Sequence, residues 1–270
     1  MSSRSFSLVV APLALALLAA CSSPSDRNIT LAGSDGGTAS QSSAATQDDL
    51  DVAVRPLKYV RQKPGCSGNC PRIEVDSITI ERAPKLNQLI DNALAYMTGV
   101  DPANAGTYRS IQEYEQHFWA TAQARDVTHL RAKVRDAFRT TITIELSTVQ
   151  YLTGAAHGIP ATQFLNWESD RNRVLALDEA LLPGTRPAFD AALARAHTRW
   201  KNGLEDYQQG PAAYDRMWPF QPSSNFALTR AGVVVKYDAY AIAPYSSGQP
   251  ELTIPYSELS GILDPRWMPN

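Results

Sequence analysis

Residues 140–151, TTITIELSTVQY, alternate so regularly that Ile142, Ile144, Leu146, Thr148 and Gln150 fall on one face. A period of two residues is the pattern of a strand, not of a helical stripe. A strand needs partners, so the chain around it must supply a sheet. Candidates precede it at 57–61 and 73–81. Ile73 and Val75 alternate there, then Ile78 and Ile80 on shifted parity, which predicts a turn or bulge near Asp76 and Ser77. Leu130, Ala132, Val134 and Phe138 sit at even positions and predict a further strand or ribbon. Beyond a Gly-Ala-Ala-His-Gly break, 163–168 reads as a strand that closes a hairpin. Residues 226–229 and 233–238 read as another hairpin, and 250–255 as one more short strand.

Helical stripes interrupt these strands. Leu86, Leu89, Ile90, Ala93, Leu94 and Met97 keep helical spacing over 84–98, with Pro84 at the first turn and Gly99 at the end. Ile111, Tyr114, Phe118 and Ala122 do the same over 107–124. Phe189, Leu193, Ala196, Trp200 and Leu204 form a stripe over 186–204, with His197 beside it as a half-buried structural histidine. Residues 207–225 read as loop, and 257–263 as a short helix. The expected class is α+β, mostly antiparallel sheet with helices packed on one side, in two small subdomains (51–150 and 151–270).

The N-terminus sets an address. Arg4 is followed by LVVAPLALALLAA at 8–20, too short to span a bilayer and built like a secretory leader. Leu18-Ala19-Ala20-Cys21 has the pattern of a lipoprotein cleavage and acylation signal, with Cys21 the lipidated residue. Ser22 follows it, the residue that accompanies outer-membrane sorting, and no aspartate stands there. The expected location is the outer membrane of a Gram-negative bacterium, lipid-anchored and facing the periplasm. Removing residues 1–20 takes away Arg4, leaving 24 basic against 27 acidic side chains, net −3. That balance, with no basic run, excludes a nucleic-acid binder. Residues 21–50 are rich in Ser, Thr, Gly, Ala and Asp and read as a flexible tether. In an oxidising compartment Cys66 and Cys70, separated by Ser-Gly-Asn, read as a disulfide across a turn.

Catalytic signatures are sparse. The sequence holds no Gly-x-Ser-x-Gly, His-Glu-x-x-His, P-loop or Gly-x-Gly-x-x-Gly motif, and its four histidines share no metal-like spacing. No cofactor or metal is expected. Glu113, Glu115, Glu145 and Glu168 are the carboxylates a sugar hydrolase could draw on, and they define the alternative reading of an envelope hydrolase. A structural or assembly lipoprotein is the third. The most individual segments are Tyr151-Leu-Thr-Gly154-Ala-Ala-His157-Gly158 and Tyr240-Ala-Ile-Ala-Pro-Tyr245-Ser-Ser-Gly248. Two glycines around a histidine mark either a demanding turn or a presented imidazole.

Four segments occur in order: Tyr-x-x-Gly-Ala-Ala-His-Gly at 151–158, Phe-Ala-Leu-Thr…Gly-Val-Val-Val-x-Tyr at 226–237, Tyr-Ala-Ile-Ala-Pro-Tyr-Ser-Ser-Gly at 240–248, and Ile-Pro-Tyr-Ser-Glu-Leu at 254–259. Together they resemble the extracytoplasmic domain shared by RsiV-type anti-sigma factors and PdaC-type peptidoglycan deacetylases, over roughly 55–265. Ala155 departs from that family's usual Gly-Gly-Ala-His. The chain shows neither a sigma-binding segment nor a deacetylase domain, so the resemblance implies the sensor-like domain alone. It implies a non-catalytic binding module for a lysozyme-type muramidase or for peptidoglycan. The ligand would meet Gly154, His157, Gly158, Tyr240 and Tyr245.

Overall fold

A computed structural model of the protein describes residues 50–99 and 108–269. The leader, Cys21 and the tether up to residue 49 lie outside the described residues. The class is α+β. Two strands open the fold, β1 (Val54–Gln62) and β2 (Arg72–Ile80), followed by helices α1 (Pro84–Tyr96) and α2 (Ile111–Thr121). Then come β3 (Val127–Phe138), β4 (Thr141–Tyr151), β5 (Ile159–Glu168) and the short β6 (Arg173–Val174). A second set of elements comprises α3 (Leu177–Ala180), α4 (Arg186–Asn202), α5 (Glu205–Gln209), α6 (Pro211–Met217), β7 (Phe226–Thr229), β8 (Gly232–Lys236) and β9 (Glu251–Ile254).

Among the described residues the strands form two sheets, ordered β1-β2-β3-β4-β5-β6 and β7-β8-β9. All neighbours pair antiparallel except β2 and β3, which run parallel and are joined through α1 and α2. Helical periodicity decides the first core. Leu86, Leu89, Ile90, Ala93 and Leu94 of α1 and Ile111, Tyr114 and Phe118 of α2 are buried with Ile73, Val75, Leu130, Ile144 and Leu146. Phe189 and Leu193 of α4 pack with Phe226, Leu228, Val233, Val235, Leu252 and Ile254 in a second core. Phe164, Ala227 and Val234 meet between the sheets. The layers are therefore helices, sheet, sheet, helix, with helices on the outer face of each sheet. The subdomain division expected at 150/151 falls at the tip of the β4–β5 hairpin, inside the first sheet.

Several local expectations change. The β1–β2 register is unbroken from Val54↔Ile80 to Gln62↔Arg72, so there is no bulge at Asp76 and Ser77. Ser77 simply takes a buried inward place that an apolar residue would otherwise fill. The register shift lies instead in β3, between Val134 and Asp136. One extra residue flips every later side chain to the other face. Phe138 thus leaves the stripe of Leu130 and Ala132 and enters the second core. Residues 205–217 hold two short helices rather than loop, and 257–263 holds only a 3-10 turn over Tyr256–Glu258. The 84–98 and 107–124 helices are shorter than expected, ending at Tyr96 and spanning Ile111–Thr121. His197 is fully rather than half buried, 2% exposed beside Trp200 and Phe220, and burial pushes its imidazole below the usual range.

Two asparagines join the sheets. Asn166 on β5 donates from Nδ2 to the Phe226 carbonyl at 2.8 Å, and its Oδ1 accepts from Leu228 N–H at 2.9 Å. Asn225 answers from the other side. Its Oδ1 accepts from Phe164 N–H at 2.7 Å, and its Nδ2 donates to the Lys236 carbonyl at 3.0 Å. Beside them an ion cluster stacks two cross-strand pairs, Lys133 with Glu145 in one sheet and Lys236 with Glu251 in the other. Arg135 bridges both carboxylates at 3.1 and 2.7 Å.

Cys66 and Cys70 form the expected disulfide, with Cα atoms 5.8 Å apart. It closes the β1–β2 turn. The loop is short, so replacing both cysteines by serine is expected to cost about 2 kcal/mol. A urea titration checks this as a lowered midpoint with an unchanged slope.

Candidate functional site

Several connections converge at one end of the first sheet. The cystine turn touches the α2–β3 connection, where Arg125 N–H donates to the Asn69 carbonyl at 3.2 Å. Buried Asp126 then ties two loops. Its carboxylate accepts from Gln123 N–H at 2.8 Å and from Thr153 N–H at 2.6 Å. Asp238 reaches in from the second sheet and accepts from Thr162 N–H at 2.8 Å. The 152–158 loop is held from the first half by Asp126 and from the second by the Tyr245 hydroxyl on the Gly158 carbonyl, with β5 just beyond it held by Asp238.

Within that loop the two glycines differ. Gly154 is exposed at φ +93°, with Ala155 N–H donating to the Leu152 carbonyl. That is a turn whose third residue needs a left-handed backbone, so Gly154 shapes the loop. Gly158 is buried, and a Cβ there would stand 2.8 Å from the Tyr151 ring and 2.9 Å from Val149 Cγ1. Gly158 thus lets the Tyr151 ring lie against the backbone.

His157 sits between them, exposed. Its ring stacks on Tyr245 at 3.9 Å between centroids and 25° between planes. Its Nδ1 is 2.9 Å from the Gly158 carbonyl, which can only accept, so Nδ1 carries the proton. In that tautomer Nε2 accepts from the Tyr240 hydroxyl, 3.1 Å away. Tyr245 O–H donates to the same Gly158 carbonyl at 3.0 Å. The geometry brings His157, Gly158, Tyr240 and Tyr245 together, and leaves Gly154 at the loop tip.

Sequence reasoning did not single out Trp218 or the backbone of Tyr240. Trp218 stacks beyond Tyr240 at 6.3 Å and 26°, and Tyr240 stands 5.6 Å from Tyr245, so the aromatic row is Trp218 followed by a triangle of Tyr240, His157 and Tyr245. Tyr240 has φ +70° and is 52% exposed. A bulky side chain in that backbone region costs on the order of 1 kcal/mol or more, and such strain gathers at functional positions. Neither 151–162 nor 239–250 contains Asp, Glu, Lys or Arg, although charged residues make up 19% of the chain. Around His157, Tyr240 and Tyr245 these segments therefore offer ring faces and hydroxyl tips without fixed charge, while Asp215 and Arg216 precede Trp218.

The carboxylates considered for hydrolysis are held elsewhere. Glu113 accepts from Arg109 N–H at the start of α2. Glu115 pairs with Arg61 at 2.6 Å, and Glu168 with Arg171 and Arg173 at 3.0 and 2.9 Å. Glu145 belongs to the inter-sheet ion cluster. Among the described residues no three His, Cys, Asp or Glu side chains gather as a metal group, and no helix is long and apolar enough to cross a membrane.

Residues 181–257 match the family model described as "Protein of unknown function (DUF3298)". A crystal structure of a DUF3298 family protein from Pseudomonas aeruginosa PAO1 is 37% identical, with a TM-score of 0.73, covering 82% of this chain and 99% of that one. The chain belongs to the DUF3298 family. A second DUF3298 structure, from Bacteroides fragilis NCTC 9343, shares the fold at 20% identity and a TM-score of 0.61, covering 82% of this chain and 97% of that one. No curated protein matches the chain. The DUF3298 match contains Tyr240, Tyr245 and Trp218 but not His157, so it spans one side of the aromatic row.

Proposed function

We propose that this DUF3298 protein is a cell-envelope lipoprotein, anchored at Cys21 to the outer membrane and facing the periplasm. Its folded part is a non-catalytic binding module for the glycan of peptidoglycan. The observation that carries the reading is the aromatic row from Trp218 to Tyr245, whose segments 151–162 and 239–250 carry no charged side chain. One face of a sugar ring is lined with C–H groups, which the negative face of an aromatic ring attracts, while its hydroxyls suit tyrosine and histidine tips. The uncharged 151–162 and 239–250 segments suit a neutral ligand. The resemblance to the RsiV and PdaC domain supports the envelope address. It also favours a second reading, in which the same face meets a lysozyme-type muramidase.

Titration calorimetry of the exported chain, without its leader, separates these readings. A saturable isotherm at about micromolar affinity with N-acetylglucosamine oligosaccharides supports the glycan. Saturation by a muramidase alone moves the assignment to the second reading, and two flat traces defeat both. Tyr240→Gly supplies a sharper check. Its stability is expected to change by no more than about 1 kcal/mol, because relief of strain at φ +70° is offset by glycine's larger unfolded-state entropy and by the lost hydroxyl bond and ring contacts. It is also expected to bind the oligosaccharide about tenfold more weakly, because a ring face is gone.

A further inference from the structure

The second sheet covers only part of the face on which it rests. It lies over Lys133, Glu145 and Phe164 and leaves the same face of β1, β2 and the start of β3 open. A groove of about 420 Å³ occupies that open half. Two cross-strand rows line it, Lys58-Asp76-Arg131 and Val60-Glu74-His129.

The charges in these rows are unevenly satisfied. Glu74 takes Arg72 at 2.6 Å and His129 at 3.1 Å. Asp76 takes Lys58 at 2.8 Å. Arg131 keeps only a long ion pair with Asp76, 3.7 Å and beyond hydrogen-bond reach, with its side chain 63% exposed. A guanidinium in that position presents a planar fork of donors suited to a carboxylate.

The groove also adjoins the aromatic row. His129 meets the Tyr151 ring edge-on at 5.7 Å. Tyr151 lies against Gly158, whose carbonyl holds both His157 and Tyr245. A ligand seated on the rings is thus adjacent to the groove.

We propose that this groove is a second subsite, in which Arg131 receives a carboxylate carried by the same ligand. The ligand class is a glycan bearing a short acidic peptide branch. The inference rests on the glycan reading of the aromatic row and names what extends from it.

The test uses two probes on the exported chain: a peptide-free N-acetylglucosamine oligosaccharide, and a disaccharide carrying a peptide with a free carboxylate. The peptide-bearing probe is expected to bind about tenfold tighter, the effect of one charge-assisted contact. Arg131→Gln is expected to erase that preference and leave the peptide-free affinity unchanged. Arg131 is exposed, so the variant retains its fold. The preference is also expected to shrink with added salt, as a surface charge contact does. Equal affinity for both probes in the wild type overturns the subsite, as does a preference that survives Arg131→Gln. Both outcomes leave the aromatic row intact. Absence of binding by either probe overturns the glycan reading and the subsite with it.

Discussion

Asn166→Ala is expected to lower the stability of the protein by about 4 kcal/mol. Asn166 is 1% exposed and lies between the sheets. Its amide replaces a missing strand neighbour for β7, pairing with the Phe226 carbonyl and the Leu228 N–H. The Thr143 hydroxyl completes the group, 2.9 Å from Asn166 Oδ1 and 2.8 Å from the Leu228 carbonyl. Alanine removes the amide and leaves a backbone donor and a backbone acceptor buried. Each such orphan costs about 1–3 kcal/mol. Asn166→Asp is expected to recover little, because a carboxylate cannot donate to the Phe226 carbonyl and would be buried as a charge. Denaturant unfolding followed by tryptophan fluorescence reads both variants. A loss under about 1 kcal/mol in Asn166→Ala would show that this amide does not hold the sheets together.

Glu145→Gln carries the second large effect. The Glu145 side chain is 7% exposed and receives Lys236 at 2.7 Å, with Lys133 and Arg135 each at 3.1 Å. Burial by itself would push its carboxyl up. Hydrogen bonds and attraction from Lys236 and Lys133 outweigh burial and hold it at about 2. Glutamine leaves three cations against Glu251 alone. Breaking a buried pair from one side costs about 3–5 kcal/mol. The lower end applies here, because Lys133 and Glu251 still reach water.

The same group makes a pH signature. Its carboxyl is lower in the folded than in the unfolded chain, so its contribution is full above about 4.5. It drains away as pH falls toward 2. The stability gap between wild type and Glu145→Gln should therefore be widest near neutral pH and narrow through that interval. A gap that stays constant down to pH 2.5 would detach the effect from this carboxylate.

What could be read in the sequence was what local periodicity decides. The stripe of Leu86, Leu89, Ile90, Ala93 and Leu94 marks its own helix, and the alternation at 140–151 marks its own strand, because neighbours a few residues apart set both patterns. The cystine turn announces itself by composition. Phe138 could not be placed, since a one-residue shift opposite β4 decides which core it enters, and pairing alone fixes that shift. Helices α5 and α6 are too short to show a stripe. Ser77 misled in the opposite sense, a small polar residue in an inward place. At the site, His157, Gly158, Tyr240 and Tyr245 were legible as motifs. That they touch was not, because they lie on connections more than 80 residues apart. The positive φ of Tyr240 has no signature in its side chain, and Trp218 joins the row only through the fold.

The aromatic row has a consequence for how the molecule opens. His157 rides on the β4–β5 loop, whereas Tyr240, Tyr245 and Trp218 belong to the half that carries the second sheet. If the sheets separate, the face ceases to exist even while each core stays packed. Occupancy and closure are then one equilibrium. A ligand spread across both halves acts as a clamp, raising the free energy of opening in proportion to the logarithm of its concentration above its dissociation constant. Such a module would be sturdiest when it is in use.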